Sequence, residues 1–346
     1  MPQTDSPSPF PSLPDSDEIA AAVAEATART RATRAWTQAT CLHPEEITAR
    51  RPEGDPARFN LLSLPAWLAV AARAGVAAIP AREIAVLDLS VFQAALDKDP
   101  AAGAQLDAFE QDILARLGPE DILRFEQVAP ADLKHALSTG RGTCRGTFRT
   151  PAGQERIDFE DPRFVDTLLD LGMDAVRAYA RPRYPARMIP AGDGQWPLEF
   201  RVFVIEGTVT GLSAYYPQAP VSPETAGQAA AAALDQAERI RQTLESLRLG
   251  VGNGALCNDG GPLDPDDPRP AWMPSTWGPQ HLTLDFLIRQ DGTPVFLEGG
   301  PGGLLTAHPC CFAPHPGHPA DLLHGAVFAE GGTAVPLDRL PAAPMS

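Results

Sequence analysis

Residues His281 to Gly302 read HLTLDFLIRQDGTPVFLEGGPG and carry the clearest structural pattern in the chain. Two apolar runs flank an Asp291-Gly292 dipeptide, and this pattern predicts a β-hairpin. Counting back from the turn places Asp285 directly beside Glu298 on the paired strands. Two adjacent carboxylates form a hard-oxygen site that suits magnesium. A surface hairpin with two solvated acids is the alternative interpretation.

A second hairpin is predicted upstream. Leu198 to Ile205 alternates between apolar and polar residues, Glu206-Gly207 forms the turn, and Thr208 to Tyr216 returns. Glu199 and Arg201 lie two residues apart on the first strand, so they share one of its faces. An arginine that faces an acidic metal site would bind a phosphate or a carboxylate, which its planar fork suits. A solvated strand face is the alternative.

Residues 138–148 read STGRGTCRGTF and precede the second hairpin. Arg141, Arg145 and Arg149 recur every four residues among glycines and threonines. The backbone amides of a glycine-rich loop, together with guanidinium groups, form a phosphate cradle. A polar surface loop is the alternative, which this composition fits equally well.

The composition is that of a globular protein and excludes a disordered acidic chain: of 346 residues, 44% are hydrophobic and 21% are charged. The formal net charge of −16 argues against nucleic acid or anionic lipid as bulk partners. The chain has two lysines against 26 arginines, and it contains no GKS or GKT phosphate-binding motif. We find no signal-peptide pattern and no apolar run long enough for a membrane span, so we expect a cytoplasmic protein with reduced thiols.

Hairpins that alternate with long helical segments predict an α+β or α/β architecture. Helices are predicted over residues 18–36, 59–75, 101–117, 164–179 and 222–247. Short strands are predicted over residues 83–89 and 121–128. The predicted division of the chain is a tail (1–17), an N-terminal α/β domain (18–118), a small domain with the glycine-rich loop (119–190), a large domain with the metal site (191–335) and a second tail (336–346).

Taken in this order, these pieces resemble the ATP-grasp superfamily. LDFLIRQDGTPVFLEGGPG is similar to the family's terminal Glu-x-Asn-Pro-type motif, and PLEFRVFVIEGTVTGLSAYY is similar to the Glu/Arg-bearing hairpin before it. The resemblance covers Asp121 to Gly303. It implies an α+β, ATP-grasp-like fold, in which a small domain closes over a larger antiparallel-sheet domain.

The resemblance implies ATP and magnesium as cofactors. It also implies a carboxylate–amine ligase, in which ATP converts a carboxylate into an acyl phosphate that an amine attacks. The carboxylate and the nucleophile would be unidentified small molecules or peptides. Asp285 and Glu298 would be the magnesium ligands, and Arg201 would be the catalytic contact to the phosphates. The residues that would bind the nucleotide are Arg124, Lys134, Arg141, Arg145, Glu199 and Arg201.

Arg124 would replace the family's phosphate-binding lysine, with Lys134 as the alternative for that role. Glu199 would orient Arg201 or join the site. The sequence departs from the family at Gly300, where an asparagine usually provides a ligand to a second magnesium. Three readings stay open: one metal, another ligand in place of the asparagine, or a non-catalytic nucleotide-binding module. A phosphotransferase on the same fold is a further alternative.

A competing zinc site is conceivable in residues 307–324, AHPCCFAPHPGHPADLLH, which hold four of the seven histidines. The residues of zinc-ligand type there are His308, Cys310, Cys311, His315 and His318. Their spacing matches no standard zinc finger. An exposed loop, an acceptor-substrate contact and a nucleophilic role for Cys310 are the other interpretations.

Overall fold

The structure is a computed structural model of the chain. It describes residues 20–21, 41–55, 57–126, 143, 145–160, 175–191, 194–205, 207–215, 221–250, 281–301, 325–328 and 333–342.

The main helices of the described residues are α1 (Pro44–Ala49), α2 (Leu64–Arg73), α3 (Leu89–Leu96), α4 (Pro100–Arg116) and α5 (Pro223–Ser246), followed by a 3-10 turn at Leu337–Arg339. Polar side chains begin α2, α3 and α4, where Ser63, Asp88 and Asp99 each accept a hydrogen bond from a backbone N–H of the first turn. These caps explain why the helices start where they do. The predicted helix over 59–75 therefore begins only at Leu64.

The strands are β1 (Arg82–Asp88), β2 (Asp121–Phe125), β3 (Phe148–Arg149), β4 (Glu155–Arg156), β5 (Ala175–Pro182), β6 (Met188–Ala191), β7 (Gly194–Pro197), β8 (Glu199–Ile205), β9 (Thr208–Ala214), β10 (His281–Ile288), β11 (Pro294–Pro301) and β12 (Gly325–Val327). Five of them form a large sheet in the order β11-β10-β8-β9-β12. Its neighbours are antiparallel except β9 and β12, which run parallel. Both predicted hairpins are confirmed, and β10 pairs with β8 to join them.

A smaller sheet has the order β1-β5-β2, with β5 in the centre and antiparallel to both neighbours. Strand β1 comes from the predicted N-terminal domain, while β2 and β5 come from the predicted small domain. The predicted boundary at residue 118 therefore crosses this sheet. Two separate hairpins, β3–β4 and β6–β7, complete the described strands.

The main core lies between one face of the large sheet and two helices. Alternate residues of β8, among them Phe200 and Val202, are fully buried against α5 and α2. The buried positions of α5 follow helical spacing, and most of them are alanines, which let the helix approach the sheet closely. The other face of β8 carries Glu199, Arg201 and the buried Phe203.

A second core fills the space between the small sheet and helices α3 and α4. Phe159 lies at its centre and contacts the rings of Phe92, Phe109 and Phe125 at centroid distances of 6.0–6.2 Å. The mixed α+β architecture with antiparallel sheets is therefore confirmed.

Two expectations need correction. The predicted helix over 164–179 is wrong for residues 175–179, which belong to β5. A central strand is buried on both faces, so its sequence lacks the alternation of apolar and polar residues by which a strand is recognised. Cys41 is disulfide-bonded, against the expectation of reduced thiols, because spacing along a chain does not show which cysteines meet in the fold. The other four cysteines lie outside the described residues. Within the described chain, no helix has the length and apolar character needed to cross a membrane.

Candidate active site

Asp285 and Glu298 are direct cross-strand partners on β10 and β11, as the hairpin count predicts. Two irregularities produce this pairing. Near the tip of the hairpin, Ile288 pairs with Pro294. If this register continued unchanged along the strands, Leu297 would lie opposite Asp285. A β-bulge then makes Leu297 an extra residue and moves Glu298 into that position. Directly opposed residues share a face of the sheet, so the bulge brings both carboxylates to the same side.

Arg201 holds the Asp285 carboxylate from the neighbouring strand β8, where the two residues are cross-strand partners. Its Nε donates to Oδ1 at 2.8 Å, and its Nη2 donates to Oδ2 at 2.7 Å. The Arg201 guanidinium also lies 4.9 Å from the centroid of the Tyr215 ring. The side chains of Arg201 and Asp285 are 14% and 5% exposed, so this fork-like pair is largely shielded from water.

Arg124 reaches the site from β2 of the small sheet. Its Nε and Nη2 donate to the same oxygen of Glu298, Oε2, at 2.9 and 2.7 Å. Its Nη1 donates to the carbonyl of Phe125 and thereby fixes the guanidinium. The Glu298 side chain is 30% exposed, so the carboxylate keeps access to solvent.

Arg181 is a third arginine at the site, and the sequence analysis missed it. It lies on β5, is 6% exposed, and donates from Nη2 to the carbonyls of Ile79 and Leu297 at 2.8 and 2.9 Å. The available signal was an arginine inside the mostly apolar run AVRAYARP. The sequence analysis predicted a helix over residues 164–179, which ends two residues before Arg181, and assigned Arg181 no role.

The electrostatics of the site favour the charged form of Glu298. Burial raises the pKa of Glu298, but the positive charges of Arg124 and Arg181 outweigh burial and leave the pKa below its ordinary value. Burial raises the pKa of Tyr215. The positive charge of Arg201 lowers this pKa, but the negative charges of Glu199 and Asp285 raise it further, so the phenol stays protonated.

Glu199 is buried at 8% exposure on the same face as Arg201. Its backbone carbonyl accepts a hydrogen bond from the N–H of Tyr215 at 2.9 Å. Three arginines and three carboxylates therefore lie on or against this face of the sheet. A cation that occupied the carboxylates would leave the arginines with a surplus of positive charge for an anionic ligand.

The two glycines after Glu298 meet different surroundings. A Cβ on Gly299 would lie 2.5 Å from the indole of Trp67, so the core requires glycine there. Among the described residues, a Cβ on Gly300 would meet the Thr283 hydroxyl at 3.5 Å, which is an ordinary contact. The position where the family usually has asparagine therefore has room for a side chain.

The glycine-rich loop is described only in part. Lys134 and Arg141 lie outside the described residues. Arg145 donates to the carbonyls of Gly118 at 3.0 Å and of Leu117 at 3.4 Å, and its Nη1 lies 3.4 Å from Glu155. These contacts tie Arg145 to the turn before β2, and its role in a phosphate cradle stays a prediction.

The His/Cys segment at 307–324 lies outside the described residues, so the zinc alternative stays open. Where the structure describes the chain, it contains no group of three or more His, Cys, Asp or Glu side chains that could hold a metal. The two carboxylates nevertheless fit magnesium, which usually takes one or two carboxylates and completes its shell with water and phosphate oxygens.

Comparison with known proteins shows likeness at the level of fold. No family model matches the sequence, and no curated protein matches it. Among solved structures, the chain resembles Cdc123 from Schizosaccharomyces pombe, with 10% identity, coverage of 75% of this chain and 86% of that chain, and a TM-score of 0.37.

Two enzyme structures show the same kind of likeness. One is an ADP complex of purK, N5-carboxyaminoimidazole ribonucleotide synthetase, with 11% identity, coverage of 72% of this chain and 47% of that chain, and a TM-score of 0.33. The other is the ATP-grasp ligase PsnB complexed with precursor peptide PsnA2 and AMPPNP, with 12% identity, coverage of 71% and 52%, and a TM-score of 0.25. This chain spans about half the length of these two enzymes. All three TM-scores lie below 0.5, so the activity of this chain has to be inferred from its own side chains.

Proposed function

We propose that this protein is an ATP- and magnesium-dependent ligase that activates a carboxylate as an acyl phosphate for attack by an amine-type nucleophile. The observation that carries the proposal is the cross-strand pair of Asp285 and Glu298, with Arg201 on one carboxylate and Arg124 on the other. Paired hard-oxygen ligands beside guanidinium groups match the needs of a metal-bound polyphosphate.

The arginines have a role in both states of the site. Without ligand, Arg201 and Arg124 neutralise the two carboxylates. Once a cation takes the carboxylates, the same guanidinium groups are released to bind phosphate oxygens. Magnesium held by Asp285 and Glu298 would supply charge neutralisation on the transferred phosphoryl group.

In the proposed reaction, an oxygen of the substrate carboxylate attacks the γ-phosphorus of ATP. The bond from that phosphorus to the β–γ bridging oxygen breaks, and ADP leaves with the electron pair. The amine then attacks the acyl carbon and loses a proton, and the C–O bond to phosphate breaks to release inorganic phosphate. Arg201 orients and stabilises the charged phosphoryl oxygens.

Calorimetry with a non-hydrolysable ATP analogue tests the proposal, with and without magnesium. We expect magnesium-dependent binding to the wild type and roughly tenfold weaker binding to Glu298→Gln, the size typical of losing a metal-site contact. Glu245→Gln on α5, whose side chain is 70% exposed, is the matched control and should bind like the wild type. Absence of binding to the wild type would contradict the proposal.

Product analysis separates a ligase from a phosphotransferase. With a screen of small carboxylic acids and peptides as acceptors, a ligase joins two substrates and releases ADP and phosphate. A phosphotransferase leaves one phosphorylated product and no free phosphate. The ligase proposal predicts the first pattern.

A second candidate is a nucleotide-binding module without catalysis. The observation in its favour is Gly300, which carries no ligand group where the resemblance expects an asparagine beside the opposed carboxylates of Asp285 and Glu298. Such a module would bind the analogue but release no phosphate from ATP with any acceptor of the screen.

A further inference from the structure

We propose that Arg181 is a positioning residue for Glu298. By holding the carbonyl of the bulged residue Leu297, it fixes the face of the sheet on which Glu298 meets Asp285. This inference rests on the proposed function, since it concerns the same metal site.

The bulge creates a need for a donor. The extra residue of a β-bulge leaves the regular ladder, so its polar backbone groups have to find other partners. The Leu297 carbonyl finds the Arg181 Nη2 at 2.9 Å, immediately before Glu298 in the chain. A guanidinium at this point therefore stabilises the bulged register over the regular one, in which Glu298 would face the core beside Trp67.

Arg181 connects three segments of the molecule at this point. Its backbone belongs to β5, where Arg181 pairs with Ile122 of β2. The same Nη2 also donates to the carbonyl of Ile79 at 2.8 Å, and the N–H of Ile79 in turn donates to the carbonyl of Phe296 at 3.0 Å. The edge of β11 just before Glu298 is thus held from two sides.

The burial of the charged Arg181 side chain is unfavourable in free energy, because the guanidinium loses its contact with water. This cost argues for a role beyond packing. Its Nε is buried and has no hydrogen-bond partner within the described residues. Burial lowers the pKa of the guanidinium to about 10, so the group still carries its charge at neutral pH. An apolar side chain usually serves stability as well as a buried charge does. The positive charge at this position instead acts on the neighbouring carboxylate of Glu298, whose pKa it lowers.

The first test measures the affinity of the site for Mn²⁺ by electron paramagnetic resonance, in the presence of the non-hydrolysable ATP analogue. We expect Arg181→Met to raise the Kd for Mn²⁺ about tenfold, the usual effect of losing a group that orients a metal ligand. Arg181→Lys retains the charge and one donor, so it should restore part of the affinity. Arg183→Met alters an exposed arginine two residues away and should leave the Kd unchanged.

A double-mutant cycle separates positioning from a general structural role. If Arg181 acts through Glu298, then Arg181→Met added to Glu298→Gln changes the Mn²⁺ Kd by less than about twofold. A second rise of about tenfold in that background would overturn the proposal. Thermal melting shows whether the variants are folded. If Arg181→Met does not fold, Arg181→Lys goes through the same cycle, and its smaller loss should likewise vanish in the Glu298→Gln background.

The outcomes distinguish the two proposals. A wild type that binds neither Mn²⁺ nor the nucleotide analogue contradicts both the proposed function and the role of Arg181. A wild type that binds both, with folded Arg181 variants of unchanged affinity, contradicts only the positioning role.

Discussion

The guanidinium of Arg124 donates two hydrogen bonds to one oxygen of Glu298, at 2.9 and 2.7 Å, and this contact joins the two sheets of the molecule. Arg124 lies on β2 of the small sheet, and Glu298 lies on β11 of the large one. Under the proposed function, a cation would compete for Glu298, and a phosphate would compete for Arg124. Each ligand therefore frees the binding group of the other, so their affinities should be coupled.

Removing the guanidinium of Arg124 should weaken nucleotide binding. A charge-assisted hydrogen bond contributes about 1.5–3 kcal/mol, so Arg124→Gln should raise the Kd for the ATP analogue at least about tenfold in calorimetry. Arg82→Gln is the matched control, because Arg82 is 61% exposed and its ion pair with Asp121 lies at 3.5 Å. Equal affinities of the two variants would show that Arg124 does not contact the nucleotide.

The lowered pKa of Glu298 predicts a pH dependence of stability. Burial opposes the charged form, yet Arg124 and Arg181 hold the pKa below the ordinary value of 4.5. A carboxyl whose pKa is lower in the folded state contributes stability above its unfolded pKa, and this contribution is lost as pH falls through the folded pKa. Urea unfolding of wild type and Glu298→Gln should show a difference in free energy of unfolding that is constant near neutral pH and shrinks below about pH 4.5. A difference independent of pH down to acid unfolding would be inconsistent with the lowered pKa.

The ion pair of Arg201 and Asp285 should contribute more to the free energy of unfolding than an exposed ion pair does. Arg201→Met leaves the Asp285 carboxylate buried without its fork, and breaking such a pair typically costs about 3–5 kcal/mol. Glu160→Gln removes a partner of Lys98 from a pair whose side chains are both 78% exposed, and it should cost less than about 1 kcal/mol. Urea denaturation compares the two variants, and similar losses would argue against a buried pair.

Substitutions at the neighbouring Gly299 and Gly300 should differ in their effect on stability. Gly299→Ala forces a methyl group into the Trp67 indole and should destabilise the fold by about 1–3 kcal/mol, as overpacking does. Gly300→Asn places its Cβ at an ordinary contact distance from the Thr283 hydroxyl, so the thermal midpoint should change little. We expect the asparagine to tighten Mn²⁺ binding in the presence of the ATP analogue. Weaker Mn²⁺ binding by a folded Gly300→Asn variant would show that this position does not face the metal.

The pairing of Asp285 with Glu298 was predictable from the sequence, although the prediction assumed a regular hairpin without a bulge. A regular two-residue turn at Asp291-Gly292 gives the right partners, whereas the structure reaches them through a wider tip and a compensating bulge at Leu297. The pattern of apolar residues carries no information on a bulge whose extra residue is itself apolar.

Contacts between segments far apart in the chain were harder to foresee. The bond from Arg124 to Glu298 spans 174 residues, and the bond from Arg181 to Leu297 spans 116. The family resemblance indicated the first of these arginines, because it precedes a glycine-rich loop. Arg181 lies in a central strand that is buried on both faces, so the sequence lacks the regular alternation of apolar and polar residues that would have revealed the strand.

The bulge at Leu297 separates the tip of the β10–β11 hairpin from the chemistry at its base. The pairs from Asp285–Glu298 to Leu282–Pro301 lie beyond the bulge as seen from the tip at residues 289–293, and β10 is also held there by its pairing with β8. That exposed tip is therefore a suitable graft point, where an epitope tag or a fluorophore can be inserted and leave the paired carboxylates in place.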